Sequence, residues 1–226
     1  MDNIQKNIIE IKSQLPDTVR LIAVSKTYPA DDIITAYNCG QRDFGENKVQ
    51  ELCEKYEKLQ NFDINWHLIG HLQTNKVKYI APFVNYIHSI DSLKLLAEIN
   101  NQAEKCKRKI KCLLEFHIAV EDTKFGLNLQ EAQKILESNE YQSMQNIEIC
   151  GVMGMASLSV DTQLIRCEFH KLKTIFLDLK TKYFHQNSAF CEISMGMSND
   201  WKIAIEEDTT MIRIGTQIFG KRNYNF

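Results

Sequence analysis

The chain has 226 residues, of which 44% are hydrophobic and 25% are charged, so it can bury a large core. Its formal net charge of −2 gives no overall basic bias toward nucleic acid or an anionic membrane surface. The apolar runs are far shorter than the roughly 20 residues that cross a bilayer, and the polar N-terminus lacks the apolar centre of a signal peptide.

Short apolar runs alternate with amphipathic helical segments, after a first helix predicted over residues 2–14. Strands are predicted over 19–25, 42–47, 65–70, 84–90, 110–119, 147–155, 189–196 and 211–215. Helices are predicted between them over 29–38, 47–59, 73–81, 93–107, 127–138, 161–182 and 198–207.

This alternation favours parallel strands joined by crossover helices. The absence of a G-x-G-x-x-G motif, together with the strand count and the length, favours a closed barrel over an open doubly wound sheet. The sequence therefore predicts one α/β domain over residues 1–226, a single (β/α)8 TIM-type barrel with an additional N-terminal helix.

The cysteines and histidines give no sign of a disulfide framework or a metal site. Seven cysteines are scattered along the chain without a C-x-x-C pair, which is typical of reduced thiols in a cytoplasmic protein. His67 and His71 are four residues apart, but they lack the glutamate of an H-E-x-x-H motif. We therefore expect no metal ion.

A lysine, Lys26, follows the first predicted strand directly. In a barrel this position lies at the C-terminal ends of the strands, where active sites are built. Apolar walls and nearby cations lower the pKa of a lysine, and a neutral amine can attack an aldehyde. Lys26 is therefore a candidate Schiff-base lysine, although position alone also fits a solvated lysine that caps the next helix.

Two segments near the C-terminus have the character of phosphate-binding loops, which barrels often place after their last two strands. Gly215 permits close backbone approach, and Thr216 adds an amide and a hydroxyl. Ser198 is expected to begin a helix whose free amides would face an anion. Each segment alone also fits ordinary turns and caps, but together with Lys26 they suggest a phosphorylated aldehyde cofactor, pyridoxal 5′-phosphate (PLP).

On specific motifs in family order, the chain resembles the PLP homeostasis protein family, also described as alanine racemase N-terminal-domain-like. The motifs are AVSKTYP (23–29), FGENKVQE (44–51), WHLIGHLQTNK (66–76), KFGLN (124–128), GVMGM (151–155), SMGMSNDW (194–201) and RIGTQIFGKR (213–222).

The resemblance implies a PLP site with Lys26 as the Schiff-base lysine and two residues, Asn47 and Met153, that line the pocket. Its seven cofactor-binding residues are Lys26, Asn47, Met153, Ser198, Arg213, Gly215 and Thr216. Of these, Ser198, Gly215 and Thr216 hold the phosphate, and Arg213 lies against the pyridine nitrogen. An arginine there keeps that nitrogen neutral and weakens the ring as an electron sink, whereas an aspartate would keep it protonated.

The chain departs from the family pattern at three places. The usual Gly-Ser-Thr or Gly-Ala-Thr before the last strand reads Asp208–Thr209–Thr210. Lys48 replaces the usual tyrosine of the second motif, and Gly154 replaces a common threonine or alanine. None of these changes removes a residue implied to contact the cofactor.

The resemblance implies a carrier that holds PLP and supplies it to apo-enzymes or buffers it. The scattered cysteines lead us to expect a cytoplasmic protein, and the lack of a dimer-forming C-terminal domain leads us to expect a monomer. An amino-acid racemase is the alternative, but it needs acid–base groups on both faces of the cofactor. In two-domain alanine racemases a tyrosine from the partner's C-terminal domain supplies the second face. This chain ends at Phe226, soon after the last predicted strand, so we expect no such domain and no enzyme activity.

Overall fold

The computed structural model describes residues 2–120 and 126–221, so the family motif at 124–128 and the end of the last motif lie partly outside them. Its strands form a closed barrel in which each pairs in parallel with its neighbours in chain order and β8 pairs with β1. The strands are β1 (Arg20–Val24), β2 (Asp43–Glu46), β3 (Asn65–Leu68), β4 (Tyr86–Ile90), β5 (Ile110–Phe116), β6 (Ile147–Gly154), β7 (Glu192–Met197) and β8 (Met211–Ile214). The predicted (β/α)8-type barrel is confirmed.

Helices connect the strands and cover the outside of the barrel. They are α1 (Asn3–Ser13), α2 (Ala30–Asn38), α3 (Val49–Lys58), α4 (Val77–Ile80), α5 (Leu93–Lys105), α6 (Leu129–Glu137), α7 (Asn139–Gln142), α8 (Thr162–Tyr183), α9 (Trp201–Glu206) and α10 (Thr216–Phe219). None of the described helices is long and apolar enough to cross a membrane.

Helix positions follow from apolar periodicity and from caps. In α3, Leu52 is fully buried, and Val49 and Tyr56 of the same helical face pack against the core. The helix α5 begins after Ser92, whose hydroxyl accepts a hydrogen bond from the Leu95 amide at 3.3 Å. Both helices were predicted from the sequence, over 47–59 and 93–107.

The barrel has two buried regions, because successive side chains of a strand point to opposite faces. In β1, Leu21 and Ala23 pack in the large core beneath the helices, whereas Ile22 belongs to a separate small cluster. Ile22 therefore points into the barrel, and the small cluster is part of the barrel interior. Met153 and Tyr86 belong to the same interior cluster.

The structure differs from the predicted elements mainly in short helices. The segment predicted as one helix over 73–81 is a 3-10 turn at Thr74–Lys76 followed by α4. The sequence did not predict α7 or α10, because a four-residue helix contains too few turns to show a period. Asp208, where the family commonly has glycine, adopts a φ of 61°, a conformation that glycine takes without strain.

Candidate functional site

A cavity of about 520 Å³ opens at the C-terminal ends of the barrel strands. Its walls come from the loops after β1, β2, β3, β6, β7 and β8. Six of the seven predicted cofactor-binding residues line it, namely Lys26, Asn47, Ser198, Arg213, Gly215 and Thr216. The volume lies in the range of small-molecule sites, which is about 300–1,000 Å³.

Lys26 is half-buried, and the backbone is fixed on both sides of it. The carbonyl of Ser25 accepts a hydrogen bond from Lys55 Nζ at 2.6 Å. The amide of Thr27 donates to Glu51 Oε1 at 2.5 Å, and Thr27 has a φ of 71°, which is unusual for a β-branched residue. These anchors determine where the Lys26 side chain starts.

A buried ion pair lies beneath this loop. The Lys55 ammonium lies 2.7 Å from Glu46 Oε1 and 2.7 Å from Glu51 Oε1. Glu46 is fully buried and accepts a hydrogen bond from the Ser25 hydroxyl at 2.6 Å. Its second oxygen, Oε2, has no hydrogen-bond partner among residues 2–120 and 126–221. Burial raises the pKa of Glu46 to about 7, and the Lys55 ammonium opposes that rise.

Arg213 projects from β8 into the barrel, and its guanidinium reaches the cavity. Its Nη1 donates to Ser194 Oγ at 2.6 Å, and its Nη2 donates to the Gly154 carbonyl at 3.0 Å. Burial lowers the pKa of Arg213 to about 10, while the nearby Asp200 and Glu115 oppose the change. The group is therefore a cation held in a fixed orientation at neutral pH.

The loops after β7 and β8 meet on the same side of the cavity. Gln217 joins them, because its side-chain amide donates to the Ser198 carbonyl at 2.7 Å and its oxygen accepts from Trp201 Nε1 at 3.1 Å. Gly215 precedes α10 directly, and Thr216 is the first residue of that helix. Hydroxyl and backbone donors thus gather at one end of the cavity.

One expectation about this region is wrong. Ser198 does not begin a helix, since α9 starts at Trp201 and its N-terminal cap is Asp200. The Asp200 side chain accepts a hydrogen bond from the Met197 amide at 2.5 Å and closes a turn that contains Ser198. Sequence periodicity could not separate this turn from the helix that follows it.

Asn47 lies against Gly70 in the wall of the cavity. A methyl group at Gly70 would lie 2.4 Å from the Asn47 carbonyl oxygen and 2.9 Å from its Cα, which are impossible distances. The Gly70 carbonyl also accepts a hydrogen bond from the Ser89 hydroxyl at 2.7 Å, so the glycine has little room to move away.

Gly70→Ala should therefore displace Asn47 and destabilise the protein by about 1–3 kcal/mol, the usual cost of overpacking. The urea midpoint and the affinity for a cavity ligand should both fall. Gly40→Ala is the control, because that position has a φ of 80° but open space around it. It should lower stability without changing ligand affinity, and an equal loss of affinity in both variants would contradict the steric argument.

The structure places Met153 inside the barrel, 1% exposed, rather than on the cavity wall. Met155, two residues later, lines the cavity together with Ser157 of the loop after β6. That loop is anchored by Glu168, which accepts hydrogen bonds from the Ser157 amide and hydroxyl, both at 2.7 Å. Sequence reasoning missed this wall, although the strand predicted over 147–155 ends within one residue of the end of β6.

Two other acidic or basic side chains of the cavity were also missed. Glu115 is buried at the end of β5, and burial together with the negative charge of Asp91 raises its pKa to about 7. His71 is partly exposed, and its Nδ1 lies 3.4 Å from Asp91 Oδ2. The position of both residues at strand ends was the available signal.

Comparisons with known proteins agree with this architecture. The family model described as "Alanine racemase, N-terminal domain" matches residues 1–223. An alanine racemase from E. faecalis superposes with a TM-score of 0.72 at 14% identity over 97% of this chain and 58% of that one, which is a likeness of fold.

Full-length relatives are more similar in sequence. The pyridoxal phosphate homeostasis protein of Aquifex aeolicus is 40% identical over 91% of this chain and 88% of its own length. That of Escherichia coli K12 is 32% identical over 100% of this chain and 99% of its own. PipY of Synechococcus elongatus, solved with PLP bound, has a TM-score of 0.87 at 36% identity over 96% of this chain and 100% of that one. By sequence and by fold, this chain belongs to the pyridoxal phosphate homeostasis protein family.

Proposed function

We propose that this protein binds PLP on Lys26 and serves intracellular PLP homeostasis by holding the cofactor and supplying it. The observation that carries the proposal is the position of Lys26 in a cavity that it shares with a buried arginine and with hydroxyl and amide donors. The relatives named for pyridoxal phosphate homeostasis and the PLP-bound PipY structure support it.

The chemistry of the donor set fits the cofactor. Ser198, Gly215 and Thr216 offer hydroxyl and backbone donors of the kind that bind phosphate oxygens. Arg213 offers N–H groups and no acceptor, so it suits a neutral ring nitrogen and disfavours a protonated one. The cavity therefore has donors for the phosphate and for the ring nitrogen of the cofactor, and an amine for its aldehyde.

When bound, PLP supplies an aldehyde carbon that can condense with a lysine amine with loss of one water. The protein's own residues position the groups around that carbon. The hydrogen bonds at Ser25 and Thr27 fix the origin of the Lys26 side chain. Arg213 is held by Ser194 and the Gly154 carbonyl, so its charge stays at one end of the cavity.

Lys26→Ala should abolish the covalent attachment of PLP while leaving the protein folded, because the side chain lies in the cavity wall rather than in the core. The measurement is borohydride reduction of the PLP-loaded protein followed by peptide mapping. The wild type should carry the label on Lys26. Lys48→Ala, a change at a nearby exposed lysine, should label like the wild type. A label on another lysine with Lys26 unmodified would disprove the assignment.

We propose that the protein is a carrier rather than a racemase, in line with the names of its relatives. The cavity does contain further acidic and imidazole side chains, among them Glu115 and His71. Racemisation of L- and D-alanine by purified protein is therefore the decisive measurement. Sustained turnover at ordinary enzyme rates, about 1–1,000 per second, that falls in Glu115→Gln or His71→Asn would favour the racemase.

We further propose a cytoplasmic, monomeric protein whose recipients are apo-enzymes that use PLP. The seven cysteines are free, which suits a reducing compartment. Transfer can be followed by the recovery of activity in a PLP-depleted transaminase mixed with the loaded protein.

A further inference from the structure

A chain of buried polar side chains crosses the barrel interior from one end to the other. Arg213 Nη1 lies 2.6 Å from Ser194 Oγ, which lies 3.0 Å from His88 Nδ1. His88 Nε2 lies 2.9 Å from His67 Nδ1, and His67 Nε2 lies 3.1 Å from Asp43 Oδ1. The chain starts at the cavity and ends at the N-terminal end of β2.

The burial of this chain makes each of its hydrogen bonds important. Ser194, His88 and His67 are all fully buried in the barrel, where an unpaired polar group costs about 1–3 kcal/mol. Their neighbours along the strands, such as Ile193 and Ile87, pack in the outer core. The three side chains therefore project inward, where few other polar partners are present.

The direction of every hydrogen bond follows from the two ends. A guanidinium can only donate, so Ser194 accepts from Arg213, and its hydroxyl hydrogen remains available to donate to His88 Nδ1. Neutral His88 then carries its proton on Nε2 and donates to His67 Nδ1. His67 in turn carries its proton on Nε2 and donates to the Asp43 carboxylate, which can only accept.

The electrostatic environment agrees with this pattern. Burial lowers the pKa of both His67 and His88, so both rings are neutral at neutral pH. The hydrogen bond from His67 lowers the pKa of Asp43, which keeps that carboxyl ionised against its own partial burial. A cation and an anion thus terminate a one-way chain of neutral groups.

We propose that Ser194 and His88 are positioning residues that hold the Arg213 guanidinium in the orientation in which it faces the cofactor. Their effect on the cofactor rests on the proposed function, whereas the direction of the hydrogen bonds between Arg213 and Asp43 does not. Ser194 contacts Arg213 and lies away from the loops after β7 and β8 that would hold the phosphate. Loss of its hydroxyl should therefore weaken the contact of Arg213 with the ring nitrogen of the cofactor.

The first arm of the test uses the protein without cofactor. In ¹⁵N spectra of histidine-labelled wild type, His67 and His88 should both be neutral with the proton on Nε2. In Ser194→Ala, the His88 Nδ1 resonance should shift because this nitrogen no longer accepts a hydrogen bond from the serine hydroxyl. Ser138→Ala, which removes a helix-capping hydroxyl on the barrel exterior, should leave it unchanged. A wild-type His88 with its proton on Nδ1 would contradict the proposed direction of the hydrogen bonds, and this result does not depend on whether the variant folds.

The second arm compares PLP with an analogue whose ring nitrogen is replaced by C–H. Ser194→Ala should weaken PLP by about tenfold or more, the effect of one hydrogen bond to a charged group, and weaken the analogue much less. Equal weakening of both ligands would show that Ser194 has a merely structural role. If the wild type binds no PLP at all, the proposed function is wrong, and the ¹⁵N spectra still decide the chain.

Discussion

Lys55→Met should destabilise the protein by about 3–5 kcal/mol at pH 8, because it leaves the Glu46 carboxylate buried without its counter-charge. Glu46 is fully buried, and Lys55 is its nearest cation at 2.7 Å. The same ammonium binds the Ser25 carbonyl, so the loop that carries Lys26 should loosen as well. Urea unfolding at pH 8 measures the loss.

The pH dependence identifies the cause. The pKa of Glu46 is raised from 4.5 to about 7 in the folded protein, so the unfolded chain ionises first as pH rises. Stability from this group is therefore lost as pH rises from about 4.5 to about 7. Removal of Lys55 raises the folded pKa further, so the defect of Lys55→Met should shrink at pH 5.

Two controls test this explanation. Adding Glu46→Gln to Lys55→Met removes the buried charge and should recover much of the lost stability. Lys182→Met breaks an exposed pair with Glu137 and should leave the urea midpoint close to that of the wild type. If Lys55→Met were as mild as Lys182→Met, the buried pair would not have the importance assigned to it.

The double change Ser198→Ala and Thr216→Ala should weaken PLP by about 10²–10⁴-fold and leave pyridoxal nearly unaffected. Each lost hydrogen bond to a charged phosphate is worth about 1.5–3 kcal/mol, and pyridoxal has no phosphate. Absorbance titration with both ligands measures the difference. Ser159→Ala is the control, since it removes a serine hydroxyl of the loop after β6, which lines the same cavity. Equal weakening of PLP and pyridoxal would place the two residues away from the phosphate.

The barrel and most of the cavity were predictable from sequence, because each depends on local patterns. Apolar runs such as 19–25 marked the strands, and strand ends in a parallel barrel meet on one face. Lys26 and Thr216 could therefore be placed together although 190 positions separate them in the numbering. The family motifs added the identity of the ligand, which periodicity could not give.

The hydrogen-bonded polar side chains of the barrel interior were not predicted, because which of them contact one another depends on how the barrel closes. His67 and Ser194 each lie between apolar neighbours in a strand, and His88 follows the outward-packed Ile87, which marks the three as inward-facing but does not pair them. Their contacts depend on the stagger of β3, β4 and β7 across the barrel. The turn at Ser198 was missed for a simpler reason, since the hydrogen bond from the Met197 amide to the Asp200 side chain forms a turn without altering the apolar period of the sequence.

The fixed backbone around Lys26 has an entropic consequence for ligand capture. Ordering the backbone of one residue costs about 1–2 kcal/mol of conformational entropy. The Ser25 carbonyl and the Thr27 amide are hydrogen-bonded by the protein's own side chains, Lys55 and Glu51. This backbone entropy is therefore lost when the protein folds, and ligand binding has to order little more than the lysine side chain. Loosening these anchors should lower affinity without changing a single atom that contacts the ligand.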